Sequence, residues 1–197
     1  MTRIDSLKKR IDALYLDKNT SRAKDWADYL HTSHVFKVAD KALELSERFN
    51  ASAELAVAAA MLHDIADAVM SREDPRHEQE SATIARSFLR ACTFNDEEIQ
   101  TIVDDAMKHH SCRGEDRPQT LEGKVMATAD AVVHLQTDFY DFAVRNFTAS
   151  GETNADISNW GLEKTDRDFH KKIFFPEVQD EVRPDYERER RRFASLR

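Results

Sequence analysis

An all-α, single-domain helical bundle is what this sequence predicts, and three observations carry that reading. Apolar residues recur at i, i+3 and i+4 through most of the chain, the period of a half-buried helix. Four glycines and four prolines leave little material for the tight turns of a strand-rich fold. No alternation of apolar and polar residues persists long enough to make a strand, and no internal repeat is visible.

Taken in order, residues 1–20 predict an N-terminal helical extension, 21–147 a helical core, and 148–197 a C-terminal loop and helical appendage packing on that core. Within the core, Val35, Val38, Ala39, Ala42, Leu45 and Phe49 mark one face of a helix over residues 33–49. Ser52 stands where it caps the next helix, whose stripe runs Leu55, Ala59, Leu62, Ala66 and Val69. Pro75 punctuates a polar loop at 71–76, and a helix at about 78–92 follows with Ala82, Ala85, Phe88, Leu89 and Cys92. Asn95 with Glu98 forms a capping box opening a helix through Ile99, Ile102, Val103, Ala106 and His110. After a loop at 111–118, a long helix is expected from about 120 to 146. Residues 148–161 read as a loop, and the helical tail beyond is expected to break at Pro176 and Pro184.

The length of 197 residues is enough to bury a core without staples. Cys92 and Cys112 are too few for a disulfide framework and lack metal-site spacing, which favours a reducing compartment. The N-terminus has no apolar core for a signal peptide and no segment reaches membrane-spanning length, so a cytoplasmic protein is expected. A net charge of −8 argues against a nucleic-acid polymer as partner, though not against a small phosphorylated substrate beside a cation.

The chemistry concentrates where polar residues interrupt apolar helices. His63 and Asp64 end the run Leu55-Ala-Val-Ala-Ala-Ala-Met-Leu62; His34 lies upstream, and Asp130 downstream within Met126-Ala-Thr-Ala-Asp-Ala. A carboxylate in such a setting ionises only beside a cation. Two imidazoles and two carboxylates make a mixed nitrogen and oxygen set that suits a divalent Mn, Fe, Co or Ni ion, or Mg, better than a structural zinc site. His31, one turn before His34, is the rival first ligand, and the spacing to Val35 and Val38 favours His34.

These blocks, His34-Val-Phe-Lys-Val-Ala, Ala60-Met-Leu-His63-Asp64-Ile and Ala129-Asp130-Ala, resemble the HD-domain phosphohydrolases, an all-helical superfamily of metal-dependent enzymes. The resemblance covers roughly residues 30 to 135. It implies hydrolysis of a small phosphate ester, a nucleotide above all, by water acidified on a cation held by His34, His63, Asp64 and Asp130. One ion is expected, and His77, His109 and His110 stand where some subfamilies bind a second metal and others bind substrate phosphate. Many members continue the pair as His-Asp-Ile-Gly-Lys; here it reads His63-Asp64-Ile-Ala-Asp67, so the lysine is absent and Asp67 becomes a candidate acid or base beside Asp64. Lys108, Arg76, Arg72 and Arg113 are then the candidate phosphate anchors.

His134 and His170 read as ordinary structural histidines, Trp26 and Trp160 as packing, and the charged run from Tyr186 to Phe193 as a solvated helix face. Two other functions compete with hydrolysis: a di-iron oxygenase built with His77, His109 and His110, and a non-catalytic nucleotide-binding module. The substrate, the number of metals and a homo-oligomeric state are left open.

Overall fold

A capping box starts the first helix. The computed structural model describes residues 1–17, 20 and 24–196, and among these every regular element is helical. Thr2 and Asp5 exchange side-chain and backbone hydrogen bonds at the start of α1 (Arg3–Leu16). The chain divides into two compact units, Met1–Ala129 and Asp130–Arg197.

In the first unit, α2 (Lys24–Tyr29) widens into a π-helical turn, Leu30–His34, and then runs on as α3 (Val35–Phe49). Asn50 ends α3 in the left-handed region at φ 57°, a conformation its short polar side chain tolerates. Next comes α4 (Ala53–Leu62), rich in alanine and buried on all sides from Ala56 to Leu62, so propensity and burial both favour helix. Ser52 takes the cap position but makes no side-chain cap bond; its N–H donates instead to Glu122 at 2.9 Å.

The predicted stripe through Ala66 and Val69 does not continue as α-helix. Asp64 leaves helical geometry at φ −120°, ψ 29°, and Ile65–Ala68 forms a tighter 3₁₀ turn. An orphaned N–H of that turn, on Ala66, donates to Ser81 Oγ of α5 (His77–Ala91) at 3.2 Å. The Asn95–Glu98 capping box is formed in both directions and opens α6 (Asp96–Ile99), which widens into π-helical turns over Gln100–Met107. Asp105 accepts from Gln119 N (2.8 Å) and Thr120 N (2.9 Å), fixing the entry to α7 (Leu121–Gln136).

The long helix expected over 120–146 is two. Thr137 Oγ1 bonds the Val133 carbonyl at 2.7 Å where α7 stops, and α8 (Phe139–Ala149) begins after Asp138. Nor is 148–161 a loop throughout. Thr153 and Asp156 form a capping box that opens α9 (Asn154–Arg167), a signal of the same kind as Asn95 and Glu98. After a π-helical turn at Asp168–Lys172, Pro176 occupies the first turn of α10 (Pro176–Ala194) and starts it rather than breaking it. Pro184 lies inside α10 on its exposed face, where water can satisfy the carbonyl that proline cannot bond. Gly161 of α9 lets the Phe193 ring of α10 come so close that a Cβ would lie 2.1 Å from it.

Candidate metal centre

Two helix endings and one irregular turn build the site in the first unit. His34 closes the π-helical turn with φ −124° and ψ −66°, outside the helix that the sequence placed it in. Wide turns of this kind re-aim side chains and are frequent at functional sites. His34 is buried, and its ring lies 5.5 Å from that of His63.

His63 follows the last residue of α4, and its Nδ1–H donates to the Ala60 carbonyl at 2.7 Å. A carbonyl only accepts, so Nδ1 carries the proton and, in the neutral ring, Nε2 presents its lone pair. That lone pair faces Asp64 Oδ2 at 3.4 Å. Two acceptors at this separation call for a proton or a cation between them. Because Asp64 leaves the helix, its carboxylate stays beside His63 instead of diverging by about 100° as on a regular turn. His110 repeats the device: its Nδ1–H donates to Met107 O at 2.6 Å, and its ring lies 5.2 Å from that of His63. This donor set, imidazole Nε2 atoms beside a buried carboxylate, fits a divalent transition metal.

Arg72 now serves as the cation of the cluster. Its Nη2 reaches Asp64 Oδ2 at 2.5 Å and Asp67 Oδ2 at 2.6 Å, and its Nε reaches Asp67 Oδ1 at 3.3 Å. Burial by itself would raise the Asp64 carboxyl; Arg72 above all, with His63 and His110, holds it well below the usual carboxylate range. Asp67 is buried and also meets His77 Nε2 at 3.2 Å. Burial opposes charge on His77, but the hydrogen bond and charge of Asp67 raise its pKa above the ordinary value.

The model of a known family, described as HD domain, matches residues 24–134. The chain belongs to the HD-domain family. HD domains are metal-dependent hydrolases that bind divalent cations and act on phosphate-containing substrates. Ribonuclease Y of Rubrobacter xylanophilus is 33% identical over 100 residues, 51% of this chain and 17% of that protein. This HD-domain chain therefore spans less than a fifth of that relative's length. No solved structure matches.

The remaining candidates of this HD domain divide sharply. His109 is half-buried, and its Nδ1 has no hydrogen-bond partner among the described residues. Lys108 and Arg113 are exposed, and Arg76 pairs with Asp74 at 2.8 Å. His31 is not a plain surface residue: it stacks on Tyr15 at 4.9 Å and meets Asp12 at 2.8 Å.

In the second unit, Asp130 is buried with a partner that sequence reasoning missed, the Lys172 ammonium on its Oδ2. His134 Nε2 lies 3.3 Å from Asp130 Oδ1, and His134 Nδ1 lies 3.1 Å from Asp168 Oδ2. Lys164 Nζ meets Asp168 at 2.6 Å and His134 Nδ1 at 2.9 Å, and Tyr140 donates to Asp168 at 2.8 Å. Burial first, with Lys164 adding to it, pushes the His134 pKa down to about 3. The signal available was Lys164, Asp168 and Lys172 at i, i+4 spacing, in a stretch whose burial no local pattern betrays.

Proposed function

We propose that this HD domain is a metal-dependent phosphohydrolase of a small phosphorylated metabolite, with a nucleotide as the favoured substrate class. The observation that carries the reading is the His63–Asp64 corner, where a backbone carbonyl orients the imidazole and Nε2 lies 3.4 Å from the carboxylate. His34, His63 and Asp64, with Asp130 as the ligand the family pattern adds, hold one divalent cation. Such a cation supplies an acidified water and screens phosphate charge. The chain's own groups do the rest: Ala60 fixes the His63 tautomer, and Asp67, beside Asp64, takes the proton released on attack. His77, His109, His110 and Lys108 are the candidate contacts to the substrate. The Ribonuclease Y likeness adds a phosphodiester of RNA as a rival substrate, against which the net charge of −8 weighs.

Metal content measured by inductively coupled plasma mass spectrometry on wild type and Asp64→Ala, followed by a phosphate-ester screen, tests the proposal. About one equivalent of metal is expected in the wild type and none in the variant. The variant's turnover should fall by more than the roughly 10–100-fold typical of outer-shell changes. Unchanged metal content and turnover in Asp64→Ala would sink it. A second reading, the di-iron oxygenase, draws on the His110 ring packed against His63; about two equivalents of iron with oxygen uptake would replace the hydrolase. Saturable nucleotide binding without turnover would leave the binding module.

A further inference from the structure

Of the four cations that the sequence offers as phosphate anchors, three are solvated or paired away from the carboxylates. Lys108 and Arg113 form no ion pair among the described residues, and Arg76 is bound to Asp74 with a side chain 73% exposed. Arg72 alone reaches the buried carboxylates. Asp67 grips its Nε and Nη2 together, a two-point hold that fixes the plane of the guanidinium. The Trp26 ring lies 5.2 Å from Cζ, adding a cation–π contact to the same group. Neither N–H of Nη1 has a partner among the described residues, and the side chain is 42% exposed. A guanidinium held by one edge, on a side chain that remains well exposed, has donors left to receive an anion.

The arrangement of the cluster points the same way. Asp64 and Asp67 share the single guanidinium of Arg72, and Asp67 has a second partner in His77 Nε2 at 3.2 Å, so Asp64 depends on Arg72 more than Asp67 does. A divalent ion on Asp64 would take over the bond that Nη2 now makes there. Arg72 would keep Asp67 and direct its unused N–H groups outward. We propose that Arg72 binds a phosphate oxygen of the substrate and that Asp67 is its positioning residue. This rests on the phosphohydrolase reading above and assigns the phosphate contact within it. It moves the anchor from Lys108 to Arg72, and it gives Asp67 an orienting duty that does not require it to carry a proton.

The test uses the Mn2+-loaded protein titrated with inorganic phosphate by calorimetry, with Mn2+ titrated into the metal-free protein as control. Wild type is expected to bind phosphate. Arg72→Gln should bind it about 10–100-fold more weakly, the loss expected for a charge-assisted contact, while still binding Mn2+. Asp67→Asn should weaken phosphate binding by the Mn2+-loaded protein in the same direction, a readout that its part in proton transfer does not move, and the double variant should lose little more than either single one. Equal phosphate binding by Arg72→Gln and wild type overturns the inference and leaves Arg72 a counter-ion. Loss of Mn2+ binding in Arg72→Gln also overturns it, in favour of a metal-supporting role. Should Arg72→Gln fail to fold, Arg72→Lys decides: it keeps the charge without the fork, and unaltered phosphate binding refutes the assignment. A wild type that binds Mn2+ but never phosphate brings down the hydrolase reading itself, and the inference with it.

Discussion

Lys172 is a buried ammonium held against Asp130, with Asp168 Oδ1 a further 3.7 Å away. Removing one partner of such a pair strands the other charge without solvent, which costs about 3–5 kcal/mol. Lys172→Met should therefore lower the urea-unfolding free energy of the metal-free protein by about that amount. If Asp130 is a metal ligand, added Mn2+ recovers part of the loss; no recovery at saturating Mn2+ would remove Asp130 from the ligand set. Lys164 supplies a pH signature. Burial, only partly offset by Asp168, pushes its pKa down to about 8 from 10.5. Between those values the unfolded chain binds the proton and the folded chain does not, so this group adds stability as pH rises through that window. Lys164→Met should flatten the rise in a denaturation series across it. At this scale the sequence showed which polar residues are buried where one broke an apolar run, as at His34, His63, Asp64 and Asp130. It was unreadable for Arg72 and Lys172, because a cation's partner across the fold leaves no trace in its neighbours.

Helix endings, more than helix interiors, place the chemistry. The Asn95–Glu98 box was legible because its two residues sit at a fixed offset before an apolar run. Thr153 and Asp156 make the same motif with the shorter acid, amid Ser, Gly and Asn that suggest a loop. The end of α4 was hidden for another reason: Ala66 and Val69 continue the helical spacing, and the Ala66–Ser81 bond, fifteen residues apart in sequence, helps to sustain the tighter turn beside its own Asp67 N–H to Asp64 carbonyl bond. Ser81→Ala should cost about 1–3 kcal/mol, as expected for an unsatisfied buried N–H, and should also weaken Mn2+ binding by loosening the His63–Asp64 corner. Intact metal affinity in a destabilised Ser81→Ala would separate the turn from the site. Packing between α9 and α10 gives a sharper case. A methyl at Gly161 meets the buried Phe193 ring at 2.1 Å, while Ser158 Oγ holds the Phe193 carbonyl at 2.8 Å. Overpacking of about 1–3 kcal/mol outweighs the helix propensity that alanine adds, up to about 1 kcal/mol, so Gly161→Ala should lower the thermal midpoint.

For the molecule as a whole, buried carboxylates that already have cationic partners within the chain, Asp67 with Arg72 and Asp130 with Lys172, predict a chain that folds before it is loaded. Metal should then stabilise by mass action: at about 100 times its Kd, Mn2+ adds about 2.7 kcal/mol, and thermal scans of Asp64→Ala should show none of it. No described helix is long and apolar enough to cross a membrane. The all-helical class was plain from composition and periodicity, whereas the division between Ala129 and Asp130 falls inside one uninterrupted helix, where no linker composition could announce it. There is a wider consequence in the Ala60 carbonyl. In an unbroken helix the amide of Asp64 would claim that oxygen; because the chain turns away, the imidazole of His63 claims it instead. The isomeric state of a candidate ligand is thus dictated by where a helix stops. Backbone changes that merely lengthened α4 by a turn would return the oxygen to the main chain and release the ring to switch isomers, and are expected to weaken Mn2+ binding with every candidate ligand left in place.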